Sequence, residues 1–201
     1  MKALILVDIQ NDFIPGGSLA VPEGDQVVDI ANKIQDKFDL ILATQDWHPE
    51  NHISFAKNHQ GKKEFEEIKL GDLTQTLWPN HCVQNTKGAE FHPNLKTDKI
   101  EAIFRKGTNP EIDSYSAFFD NAHLKNTGLS GYLKEKGVKT IYFMGLAGDI
   151  CVYFSIKDAL NFGFDCVMIE DGSKPLNAET FAEQKKELLA KGVKYIKADK
   201  M

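Results

Sequence analysis

A chain of 201 residues, 42% hydrophobic and 26% charged, has the composition of a globular α/β domain and not of a disordered, collagenous or membrane chain. Its formal net charge of −5, with lysines scattered among acids, lacks the basic face that nucleic-acid binding requires, so the expected partner is a small molecule. Three cysteines, Cys82, Cys151 and Cys166, stand far apart with no CxxC, which argues against a disulfide framework or a thiolate zinc site and fits a cytoplasmic protein.

The chain opens with a short apolar run, Ala3 to Val7, that Asp8 stops well short of a signal-peptide core, and no other stretch approaches a membrane span. Further runs at Leu40 to Ala43, Ala102 to Phe104, Thr140 to Met144, Cys166 to Ile169 and Val193 to Ile196 read as buried strands. Helical segments are expected over Gly24 to Lys37, Asn126 to Lys136, Ile150 to Phe162 and Ala178 to Lys191. Gly137, Gly163 and Gly192 each fall where a helix should end in a left-handed cap. Buried strands alternating with helices predict one three-layer α/β/α domain over residues 1–201, with a six-stranded, mostly parallel sheet. Between Gln45 and Lys99 no strand is evident, and a loop that long, crowded with His, Trp, Asn and Pro, is expected to be functional.

A sheet of this kind carries its chemistry beyond the carboxyl ends of its strands. Asp8 ends the first strand, although a lone aspartate there is more often an ordinary turn residue. After the second strand, Asp46 and His48 alternate in Asp46-Trp47-His48, so an extended backbone points both the same way as a metal-ligand pair, with His81 of Trp78-Pro79-Asn80-His81-Cys82 as the third ligand. A carboxylate and imidazoles suit one divalent ion, with zinc favoured and iron or manganese as alternatives. His52 is read as a fourth ligand or a supporting residue, and His59, His92 and His123 as surface residues. Lys106 closes the third strand, where its charge would favour a nearby thiolate. Cys151 follows the fourth strand, at a small-residue turn feeding a helix whose N-terminus would lower its pKa and bind an oxyanion; Cys166 reads as a buried, inert thiol.

Four ordered blocks, Val7-Asp8-Ile9-Gln10-Asn11-Asp12-Phe13, Asp46-Trp47-His48-Pro49-Glu50-Asn51-His52-Ile53-Ser54-Phe55, Trp78-Pro79-Asn80-His81-Cys82-Val83, and Gly145-Leu146-Ala147 leading to Cys151-Val152, resemble the isochorismatase-like cysteine hydrolases, and among them the nicotinamidase/pyrazinamidase family. The resemblance covers nearly the whole chain. It implies catalytic Asp8, Lys106 and Cys151, metal ligands Asp46, His48 and His81, and hydrolysis of nicotinamide, and also of pyrazinamide, in NAD salvage. It also implies that Phe13 and Trp78 pack on the pyridine ring, that Tyr115 lies near the pocket, and that a cis peptide at Leu146–Ala147 presents the Ala147 N–H to the oxyanion. The chain departs from the family pattern in the spacer between Lys106 and Tyr115 and at Gly148 and Asp149, where relatives often carry bulkier residues. A ureido or carbamoyl hydrolase of the same fold is the nearer rival, disfavoured by the metal blocks. A non-catalytic nucleotide-binding or metal-sensing module has no GxGxxG or GxxxxGK[ST] to support it. A homo-oligomer is left open.

Overall fold

The computed structural model describes residues Met1 to Met201. In chain order the elements are β1 (Lys2–Val7), α1 (Gln26–Ile34), β2 (Leu40–Asp46), β3 (Glu67–Leu70), β4 (Leu73–Thr76), β5 (Ala102–Lys106), α2 (Leu129–Glu135), β6 (Thr140–Leu146), α3 (Tyr153–Asn161), β7 (Asp165–Lys174), α4 (Ala178–Ala190) and β8 (Lys194–Ile196). Six strands form one sheet in the order β5-β2-β1-β6-β7-β8, and every pairing in it is parallel.

Alternation along β1 builds the layers. Ala3, Ile5 and Val7 pack with Leu129, Leu133, Val152 and Ile156 on one face of the sheet, whereas Leu4 and Leu6 pack with Val27, Val28, Ala31 and Ile34 of α1 on the other. The residues of β1 after Lys2 are buried on both faces, so the strand reads as a continuous apolar run with no polar alternation.

The expected strands and helices are present, with shifted ends. Strand β2 continues through Asp46, and β7 runs on to Lys174. Helix α2 begins only at Leu129, because Gly128 before it takes the left-handed conformation. Gly137, Gly163 and Gly192 have φ of +68°, +85° and +88°, as their cap positions predict. The segment from Gln45 to Lys99, expected to lack strands, contains the antiparallel hairpin β3–β4. Its signal was present in the chain: Gly71-Asp72 separates two short alternating segments, a two-residue hairpin loop.

Candidate active site

Connections from β1 proceed to β2 and β5 on one side, and from β6 to β7 and β8 on the other, so the strand order reverses between the adjacent β1 and β6. That switch point opens a crevice at the carboxyl edge. Asp8 follows β1 with φ of +47°, a costly conformation for a residue with a Cβ. Lys106 is the last residue of β5, and Cys151 lies in the turn after β6. All three are buried and converge. Lys106 Nζ lies 2.9 Å from Asp8 Oδ2, off the angle of a good hydrogen bond, and 3.4 Å from Cys151 Sγ. It also donates to Asp46 Oδ1 at 2.9 Å and to the Ser114 carbonyl at 3.0 Å. Thr44 Oγ1 donates to Asp8 Oδ1 at 2.6 Å, which fixes the carboxylate plane.

Burial dominates the electrostatics. It raises the Asp8 carboxyl above its ordinary value; Lys106 pulls it down and Asp46 pushes it further up. Burial would lower Lys106, but Asp46 and Asp8 outweigh it and hold the amine well above its usual range. Burial also drives the Cys151 thiol well up, against Lys106 and with Asp8 and Asp46. Burial thus outweighs the Lys106 charge that was expected to favour a thiolate, because that charge is shared by two carboxylates, and the thiol has a potential base beside it. Nor does Cys151 sit in the first turn of an α-helix. Gly148–Val152 forms a wide π-type turn ahead of α3. The Leu146–Ala147 peptide before it is cis.

Asp46, His48 and His81 present one ligand atom each, all within 4.8 Å of one another and all buried. His48 Nδ1 lies 2.9 Å from the Gly107 carbonyl, and His81 Nδ1 lies 2.8 Å from the Pro79 carbonyl. A carbonyl only accepts, so each Nδ1 carries the proton and each Nε2 turns a lone pair inward. Both lone pairs face Asp46 Oδ2, at 3.1 Å from His48 and 3.5 Å from His81, and His48 Nε2 has no hydrogen-bond partner. Three buried electron-pair donors this close to one another fit a divalent ion. The same fit shows in their titration. Burial opposes charge on His48, but Asp46 overrides it and raises the imidazole, and burial of Asp46 is outweighed by His48 and Lys106, which hold its carboxyl well below the usual range.

A pocket lined by Phe13, Trp78, Tyr115 and Ala147 also exposes Asp46, His81 and Cys151, so the four expected substrate-binding residues, the thiol and two of the metal set share one wall. Leu19, Asp113, Ile150 and Leu176 line it as well and were not singled out in the sequence. A roomier polar cleft of about 230 Å³ backs onto Lys106 and Thr108, but it contains neither the thiol nor an aromatic ring. At Gly148 a Cβ would meet the Phe181 ring at 3.0 Å, so a bulkier residue requires that ring to move. Asp149 is buried and accepts the Leu176 and Asn177 N–H groups, each at 2.8 Å, tying the Cys151 turn to the pocket wall. His52 is buried, with burial first and His48 second lowering its pKa to about 4. Cys166 is buried as expected, and its thiol is pushed up to about 12 by burial. His59 and His92 are half-buried, whereas His123 is exposed.

The doubly wound sheet with this cluster at its switch point is the architecture of the isochorismatase family, and the chain belongs to that family: the isochorismatase domain model matches residues 2–199. Within it the chain is similar to a nicotinamidase of Escherichia coli, 48% identical over 182 residues covering 89% of this chain and 85% of the relative. Among solved structures it is similar to a nicotinamidase/pyrazinamidase of Acinetobacter baumanii, at 45% identity and a TM-score of 0.95 over 98% of this chain and 96% of the other. It is also similar to a pyrazinamidase of Pyrococcus horikoshii in complex with zinc, at 38% identity and a TM-score of 0.79, each chain covered to 98%.

Proposed function

We propose that this protein is a metal-containing nicotinamidase that hydrolyses nicotinamide to nicotinate and ammonia through a Cys151 thioester, and that it also accepts pyrazinamide. One observation carries the reading: a single aromatic pocket holds both the Cys151 thiol and the inward-facing Asp46 and His81. The similarity to nicotinamidases supports the choice of amide.

Asp46, His48 and His81 would hold the ion, zinc by preference for this donor set, with iron or manganese as alternatives. When bound, the ion supplies a Lewis-acidic seat for the pyridine nitrogen. Phe13, Trp78 and Tyr115 enclose the ring and exclude water. Asp8, whose carboxyl is raised toward the range of a working base, takes the Cys151 thiol proton as sulfur attacks the carboxamide carbon. The carbonyl electrons move to oxygen, and the Ala147 and Cys151 N–H groups receive the oxyanion, an interaction whose loss typically costs about 3 kcal/mol of barrier. Collapse breaks the C–N bond, and Asp8 returns its proton to the departing ammonia. A water then attacks the thioester, giving its proton to Asp8, and the released sulfur recovers that proton. Lys106 keeps Asp46 ionised through both halves and steadies the Asp8 carboxylate whenever it is without the proton.

Ammonia release from nicotinamide, assayed beside a ureido substrate with metal-replete and chelated protein, tests the reading. Turnover of nicotinamide that chelation abolishes and a divalent ion restores is expected. Turnover of the ureido compound alone would overturn it. Cys151→Ala and Asp8→Asn should each abolish turnover with the fold retained.

A further inference from the structure

Helix α3 brings to the nucleophile a buried hydroxyl that the proposed reaction leaves unused, that of Ser155. Its Oγ lies 2.6 Å from the Cys151 carbonyl oxygen and 2.8 Å from the Ala117 backbone nitrogen. A backbone N–H can only donate, so the hydroxyl accepts from Ala117 and directs its own proton at the Cys151 carbonyl. A serine bonded to the carbonyl four residues back is a frequent local motif in helices and by itself carries no functional meaning. The second bond changes that, because it reaches a residue 38 positions away. It fastens the backbone of the nucleophile to the segment from Ser114 to Ala117.

That segment meets the site at two further points. Its Ser114 carbonyl accepts from Lys106 Nζ at 3.0 Å, and its Tyr115 lines the pocket beside Cys151. Local bonds stiffen it: Ser114 Oγ donates to the Phe119 carbonyl at 2.9 Å, the Tyr115 N–H donates to Asn121 Oδ1 at 2.9 Å, and the Phe118 N–H donates to Ser116 Oγ at 3.0 Å. The contacts then close a ring. From the Cys151 carbonyl the path runs through Ser155 to Ala117, back along the segment to Ser114, on to the Lys106 ammonium, and returns to Cys151 Sγ at 3.4 Å. Phe154, the residue before Ser155, packs against Tyr115 with ring centroids 5.5 Å apart, so the same turn of α3 supports the pocket wall from behind.

We infer that Ser155 is a positioning residue: its hydroxyl ties the Cys151 backbone to the segment that carries Tyr115 and holds Lys106, and so fixes the sulfur against both the ammonium and the aromatic wall. Alanine at this position would leave the Cys151 carbonyl and the Ala117 N–H without their bridge. Phe13, Trp78 and the metal set hold the substrate from other elements, so losing the bridge should spare binding and harm alignment. Misplacing reacting groups by about 1 Å costs on the order of 10²-fold in rate.

The inference rests on the proposed hydrolysis of nicotinamide, and the test separates the two. Steady-state kinetics and thermal unfolding are measured on the metal-replete wild type, Ser155→Ala, Ser155→Thr and Thr127→Val. Thr127 Oγ1 donates to the Ala117 carbonyl at 2.7 Å, so Thr127→Val loosens the same segment without touching the Cys151 turn. Ser155→Ala is expected to lower kcat for nicotinamide about 10–100-fold while KM stays within about threefold. Ser155→Thr keeps the hydroxyl and should recover most of that loss. Thr127→Val should lower the unfolding midpoint while kcat, with the alignment kept, stays within about threefold. An unchanged kcat in Ser155→Ala, an equal loss of kcat in Thr127→Val, or an effect of Ser155→Ala on KM alone overturns the inference. A wild type that does not turn over nicotinamide overturns the proposed function instead. Crystal structures of the wild type and Ser155→Ala then decide the role of Ser155: displacement of Tyr115 and Lys106 relative to Cys151 upholds it, and an unmoved set overturns it.

Discussion

Asp46 and Lys106 are register partners on neighbouring parallel strands, and the Lys106 ammonium lies 2.9 Å from Asp46 Oδ1 while Oδ2 faces the two metal-set histidines. One carboxylate therefore joins the nucleophile cluster to the ion site. With Asp8, the buried cluster holds two carboxylates against one ammonium.

Removing that ammonium should be costly. Lys106→Met leaves Asp8 and Asp46 buried without their cation, and breaking a buried charge group of this kind typically costs about 3–5 kcal/mol. Urea unfolding of the two proteins checks this. A loss under about 1 kcal/mol, ordinary for a surface change, would mean that the carboxylates are solvated or protonated without Lys106.

Asp8→Asn should behave in the opposite way. Because burial raises the Asp8 carboxyl, the folded state holds its proton more tightly than the unfolded chain does. The contribution of this group to stability is thus present below the ordinary carboxylate range and is lost as pH rises through the raised value. At neutral pH the neutral isostere relieves that loss, so Asp8→Asn is expected to be inactive yet at least as stable as the wild type. Its advantage should vanish in acid. Denaturation at neutral and acid pH gives the answer.

The same raised carboxyl sets the pH profile of turnover. Asp8 must be ionised to take the thiol proton, so kcat/KM should fall on the acid side through a pKa above the ordinary carboxylate range. Metal content is measured at each pH to separate this limb from ion loss. A profile that stays flat down to the ordinary carboxylate range with metal bound would remove Asp8 as the base.

Gly107 has φ of +64°, and a Cβ there would lie 2.3 Å from His48 Cε1. Gly107→Ala must displace the imidazole, and metal affinity is expected to drop about 10–100-fold, as for other changes that misorient a ligand. Gly128, with φ of +86° and open space around it, is the control. Gly128→Ala should cost about 1 kcal/mol of stability and leave the affinity unchanged. Competition with a chromogenic chelator distinguishes the two variants.

Asp149→Ala unties the Cys151 turn from Leu176 and Asn177 and leaves two partly buried N–H groups without their acceptor. Because water can reach them, each lost bond should cost about 1 kcal/mol. Because Leu176 lines the substrate pocket, KM for nicotinamide should rise along with the stability loss. Unchanged KM in a folded variant would show that the tether is structural only.

Much of this was legible in the chain because local patterns carried it. Strands buried on both faces read as apolar runs, so β1, β2, β5 and β6 were visible, and each of Asp8, Asp46 and Lys106 follows or ends such a run. His81 and Cys151 were recoverable from their blocks. Gln75, Asp113 and Leu176 carried no such mark: they sit in a short hairpin, a spacer and a turn, and only their partners across the fold give them meaning.

The sequence by itself determined the strands and helices of the parallel sheet domain, though not the β3–β4 hairpin, and which side chains stand at the sheet's carboxyl edge, since these follow from periodicity and from the position of polar residues at strand ends. Tertiary structure alone decided protonation and tautomer, because these depend on burial and on atoms distant in the chain. Burial pushes the Cys151 thiol up although Lys106 lies beside it, since two carboxylates share the charge of Lys106. His48 turns Nε2 inward because its Nδ1 meets the carbonyl of Gly107, a residue 59 positions away.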